Sequence, residues 1–205
     1  MDVPLIADLT QRLSLDCPPG LLERLRVRYE EPHRAYHTWE HVLACLDARR
    51  RITDTDLPEV DLALLFHDAV YEPLAGDNEA RSGLLLIEEG RRAWMNERLL
   101  RRAQLLIDAT QHGPANEVDS EEACIVVDAD LSILGSEPGA FARYEEQVRR
   151  EYAMVAEAAY VVGRAGVLEG FLSRPTIYAT RRGQRLWERR ARSNLEASLV
   201  RLRTL

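Results

Sequence analysis

The stretch "LALLF", Leu62 to Phe66, is apolar on every side. A helix with no polar face belongs at the centre of a fold, with other elements packed around it. Asp56 is a good N-cap for this segment, and Pro58 suits its first turn. The spacing therefore predicts a central buried helix. His67 and Asp68 follow it directly, at the end of the most apolar part of the chain. A carboxylate in such a setting is costly unless something pairs with it.

The surrounding periodicity is helical as well. Leu5, Ile6, Leu9 and Leu13 mark a first amphipathic helix, and "GLLERLRVRYEE" a second that Pro32 ends. A third is expected from about Tyr36 or His37 to Arg50, a fourth from about Asp77, and another over roughly Glu97 to Ala109. "CIVVDADLSILG" has β-branched residues that suit a strand, but it stands alone among helices. It reads as a buried helix closed by Gly135. Pro138 opens a helix through Tyr152, "MVAEAAYVVGRAGVLEGFL" continues helical, Pro175 breaks the chain, and a last helix runs from about Gln184 to Leu202. One strand cannot make a sheet, so the expected fold class is all-α. No repeat or linker divides residues 1–205, which read as a single domain.

Composition excludes some functions. A net charge of -7 argues against generic nucleic-acid binding, which needs a basic footprint. The chain contains arginine but no lysine, which rules out lysine Schiff-base chemistry and a phosphate loop ending in Lys-Ser/Thr. Cys17, Cys45 and Cys124 form no CxxC pair and read as small buried hydrophobes in a reducing compartment. The start "MDVPLIADLT" lacks signal-peptide character, and no stretch approaches a membrane span, so a cytoplasmic protein with no membrane partner is expected.

Three of the five histidines lie within nine residues, at His33, His37 and His41. On a helix, His37 and His41 would project from one face. The His67–Asp68 pair and the acidic residues Asp128 and Asp130 each sit in apolar surroundings. Two imidazoles and two carboxylates make a mixed N/O site suited to a divalent metal ion: Mn, Fe, Co, Ni, Zn or Mg. Taken singly, a buried histidine is more often a hydrogen-bonded core residue and an aspartate an ion-pair partner. The joint pattern favours metal. Glu79 follows the loop after the His-Asp pair and could bridge or act as a base, or serve only as a first-turn acid. Arg34, Arg81 and Arg164 are candidates for holding an anionic substrate, as is His112 in "ATQHG", which could also serve a second ion.

The order His…His-Asp…Asp resembles the HD superfamily of metal-dependent phosphohydrolases. "EPHRAYHTWEHVLACLD", "LALLFHDAVYEPLAGDNEARSG", "DADLSILG", "YEEQVRREY" and "GRAGVLEGFL" together are similar to a bacterial family described as predicted HD phosphohydrolases. "YHTWEH" also resembles a segment of the cyclic-nucleotide phosphodiesterase catalytic domain, a distant branch. The resemblance implies that His41, His67, Asp68 and Asp130 hold metal, with Asp128 as the rival of Asp130. It also implies that His37 faces the substrate as a catalytic residue. The implied substrate is a small phosphorylated molecule, a nucleotide among the options, hydrolysed by metal-activated water. Two other uses of such a scaffold are a di-iron oxygenase, which needs more ligands, and a nucleotide-binding regulatory module without turnover.

Overall fold

The apolar helix sits where its composition demands. In the computed structural model, which describes residues 20–111 and 120–204, it runs from Pro58 to Phe66, and Val60 and Leu62 to Phe66 are all at most 1% exposed. Pro58 opens it, as expected, but Leu57 rather than Asp56 occupies the N-cap position, with no side-chain cap. The regular structure of the described residues is all helical, with no strand, so the fold class is all-α. No helix among the described residues is long and apolar enough to cross a membrane.

The helices are α1 (Leu21–Tyr29), α2 (Trp39–Ile52), α3 (Pro58–Phe66), α4 (Asn78–Arg92), α5 (Glu97–Asp108) and α6 (Glu121–Asp130). They are followed by α7 (Pro138–Glu151), α8 (Glu157–Leu172) and α9 (Arg189–Leu202). The first predicted helix, over Leu5 to Leu13, lies outside the described residues. Central α3 packs against α2, α4, α5 and α6. "CIVVDAD" is helical, and "LSILG" tightens into a 3-10 turn, Leu131–Gly135. That turn ends at Gly135 because a Cβ there would lie 2.4 Å from the Trp187 Cβ, and only glycine permits so close an approach.

The chain reaches α9 through a single turn, Arg181–Gly183, and a π-helical turn, Gln184–Glu188. Asp128 organises this entry. Its fully buried carboxylate accepts hydrogen bonds from the Ala179 amide (2.7 Å), the Thr180 amide (2.8 Å) and the Thr180 hydroxyl (2.6 Å). Burial pushes its pKa up despite these bonds. Gly183 packs so tightly on it that an added Cβ would lie 2.3 Å from Oδ2. Asp128→Ala should leave these donors unsatisfied and cost about 3 kcal/mol, read as a lowered urea midpoint at unchanged slope.

Candidate metal centre

Three separate pieces of chain converge beyond the end of α3. His41 comes from the first turn of α2, His67 and Asp68 from the turn that closes α3, and Asp130 from the last residue of α6. The His41 and His67 Nε2 atoms face each other at 3.1 Å. Asp130 Oδ1 lies 3.1 Å from His41 Nε2 and 3.5 Å from His67 Nε2. Asp68 Oδ2 lies 3.5 Å from His41 Nε2 and 3.0 Å from His67 Nε2. Both histidine side chains are almost wholly buried.

These spacings suit a common cation. Donors at metal distances of about 2.1 Å stand about 3.0 Å apart along an octahedral edge and about 3.4 Å apart in a tetrahedron. Asp68 Oδ2 supplies an independent test. It is buried, and although His67 Nε2 is close, no donor makes it a hydrogen bond of sound geometry. An orphaned carboxylate oxygen costs several kcal/mol, and a divalent ion would satisfy it. The His67 Nδ1–H donates to the Leu64 carbonyl at 2.9 Å, which fixes the ring and turns Nε2 into the cluster. Burial alone would lower the His67 pKa, but Asp68 and Asp130 raise it well above 6.5. Proton and metal ion thus compete for the same lone pair.

Cys45 belongs to this setting, one turn after His41 on α2. Its sulfur lies 3.6 Å from both ring nitrogens of His41, and His41, Cys45, His67 and Asp130 offer ligand atoms all within 4.8 Å of one another. Burial, then the charges of Asp130 and Asp68, push the thiol pKa well up. Read from sequence as a small hydrophobe, Cys45 carried one legible signal, its i+4 spacing from His41.

His37 is placed differently from expectation. Helix α2 begins at Trp39, so His37 precedes it, in a turn. Glu151, at the end of α7, holds that turn. Its Oε1 accepts the amides of Ala35, Tyr36 and His37 at 2.7, 2.7 and 3.0 Å. Its Oε2 accepts from His37 Nδ1 at 2.7 Å and from the Tyr71 hydroxyl at 3.0 Å. Burial favours a neutral Glu151, but the hydrogen bond and charge of His37 and the turn amides outweigh it, bringing the pKa down to about 2. For His37 burial lowers the pKa, while Asp68 and Glu151 raise it above 6.5. Sequence reading missed Glu151. It lies in the segment "YEEQVRREY", but nothing there singles it out from Glu145 and Glu146, and its role exists only once α7 meets the turn.

The other candidates separate. Asp128 faces the Ala179–Thr180 backbone, which removes it as a rival to Asp130. Arg34, expected as a substrate contact, does not line the cavity at the centre. It is buried, donating to the carbonyls of His37 (3.0 Å), Asp68 (2.7 Å) and Ala69 (3.3 Å), and its guanidinium lies over the rings of Tyr29 and Tyr71. It ties the His37 turn to the His67–Asp68 turn. Arg81 is half exposed, 3.9 Å from Asp77, and does not line the cavity at the centre. Glu79 and Arg164 do line it. His33 is structural, its Nε2 paired with the Tyr71 carbonyl at 2.8 Å. His112 lies outside the described residues.

Comparison with models of known families, with curated proteins and with solved structures finds no match. The centre must therefore be judged on its own chemistry, and that chemistry is a His/Cys/His/Asp cluster, with Asp68 beside it, able to hold a metal ion.

Two measurements follow. Purified without chelator, the protein should carry one tightly held divalent ion per chain by elemental analysis, and His41→Ala or Asp130→Ala should lose it while the helical circular dichroism persists. Glu151 stabilises the fold fully above the ordinary carboxyl value of 4.5, and its contribution fades as the pH falls toward about 2. The urea midpoints of the wild type and Glu151→Gln should therefore differ most near neutrality and converge in acid.

Proposed function

We propose that this chain is an HD-type, metal-dependent phosphohydrolase that cleaves a phosphomonoester or phosphodiester. One observation carries the reading. The donors arranged as His41, His67–Asp68 and Asp130 follow the superfamily's order along the chain and meet at ligand spacing around an orphaned carboxylate oxygen. Two carboxylates and two neutral imidazoles offset the charge of a divalent ion. His67, Asp68 and Asp130 also line a cavity of about 530 Å³, so a molecule in it would reach the donors.

A divalent ion held by His41, His67, Asp68 and Asp130 would supply Lewis acidity toward a phosphoryl oxygen and would lower the pKa of a water enough to provide hydroxide near neutral pH. The chain's own residues do the rest. His37 lines the same cavity, and with Nδ1 engaged by Glu151 it has Nε2 for a proton aimed at the leaving oxygen. Glu151 orients the ring and stabilises its imidazolium form. Tyr71 stacks on His37 with centroids 4.1 Å apart and shares Glu151 with it, so the ring has little freedom to turn. Arg34 keeps the acid and the metal donors in one frame by bonding the carbonyls of both turns.

His37→Ala should keep the metal and the fold yet lose about 10²–10⁴-fold in turnover of an alkyl phosphate. It should lose far less on p-nitrophenyl phosphate, whose leaving group hardly needs a proton. Glu151→Gln turns a donor toward Nδ1 and should reproduce this leaving-group dependence more weakly. Loss of metal from His37→Ala would make His37 a ligand, and equal losses on both substrates would leave it only a positioning role.

A further inference from the structure

The cavity beside the metal donors is built for little charge. Away from the donors its wall is formed by Ile133, Leu134, Val148, Val155, Val167 and Phe171, with Tyr144, Tyr152 and Tyr160 among them. Its rim is apolar too. Leu74 is 67% exposed at the mouth and Val167 49%. Leu74 stands there at a positive φ of 73°, a conformation a branched side chain rarely adopts and that costs on the order of 1 kcal/mol.

Several polar groups of the wall are committed to the protein. The Asn78 amide uses its oxygen on the Glu72 amide and its nitrogen on the Glu72 carbonyl. The Thr110 hydroxyl donates to the Ile107 carbonyl. Arg164 is the one arginine among the described lining residues, and it donates to the Tyr144 hydroxyl and is ion-paired with Glu145. Glu79 adds negative charge. With Asp68 and Asp130 balanced by the ion, the second and third phosphates of a chain would meet Glu79 and an apolar wall, with no uncommitted arginine among the described lining residues, and desolvating such charge is expensive. An apolar group would lose water against apolar wall.

We infer that the substrate carries a single phosphoryl group on a compact apolar organic moiety, aromatic or similar in shape, and that nucleoside di- and triphosphates are poor ligands. The inference rests on the hydrolase reading for the phosphoryl half of the substrate, while the apolar wall stands by itself. The cavity volume of about 530 Å³ accommodates a ring with short substituents.

Calorimetry with phosphonates, which are not hydrolysed, tests this apart from turnover. The metal-loaded protein would be titrated in the presence of Mn²⁺ with phenylphosphonate and methylphosphonate, and with the non-hydrolysable phosphonate analogues of AMP and ATP in place of the nucleotides themselves. Burying the ring should tighten phenylphosphonate over methylphosphonate by roughly 10–100-fold. The ATP analogue should bind no better than the AMP analogue. Val167→Asp, a change at a half-exposed position outside the core, should lower the phenyl-to-methyl preference by about 10-fold. Affinity that rises with phosphate number, equal binding of the two phosphonates, or no binding at all would overturn the inference. Phenyl preference without phosphate release from phenyl phosphate under any divalent metal would keep it and defeat the hydrolase reading instead.

Discussion

The Asp68 carboxylate, set just past the end of a wholly buried apolar run, is the constraint on which the rest of this structure depends. Leu62 to Phe66 can occupy the centre because that run has no polar face, while Glu59 and Asp61 in the first turn of α3 pair with Arg102 and Arg49, so the far end of the helix opens into low-dielectric surroundings. A charge left there demands compensation. The chain sets His67 beside it and brings His41 from α2 and Asp130 from α6, an arrangement that would become neutral if a divalent ion joined it. The packing of α2 and α6 against α3 brings those partners to the same point.

Two further buried charges hold the backbone around this centre. Arg34 gathers the carbonyls left open where α3 ends, and Glu151 gathers the amides of the turn before α2. One is a cation collecting acceptors and the other an anion collecting donors, and His37 is bonded to both. Irregular backbone at the centre of the molecule is thus satisfied by charged side chains, and the catalytic candidate inherits its position from them.

Much of this was legible from local pattern. The apolar run marked α3, the prolines marked the starts of α3 and α7, and polar residues set in apolar runs marked His67, Asp68 and Asp130. Where reading failed, the deciding partner was remote. Arg34 lies close to His37 in sequence and so suggested a substrate contact, but its acceptors are the Asp68 and Ala69 carbonyls, 34 and 35 residues away. Glu151 is 114 residues from His37, and no periodicity reports such a pairing. Asp128 and Asp130, two positions apart on α6, face opposite duties for a reason periodicity does supply, since such residues point in different directions. Which of them met the histidines depended on where Ala179 and Thr180 come to rest.

The grip of Asp128 on Ala179 and Thr180 has a consequence for the order of assembly. The donors leave the ribosome in the sequence His41, His67–Asp68, Asp130, yet α6 is anchored by backbone synthesised 51 and 52 residues after Asp128. Asp130 therefore lacks the support of that anchor until Ala179 and Thr180 have been made. The three helical segments that carry the donors can be locked together only after that stretch of backbone returns to α6.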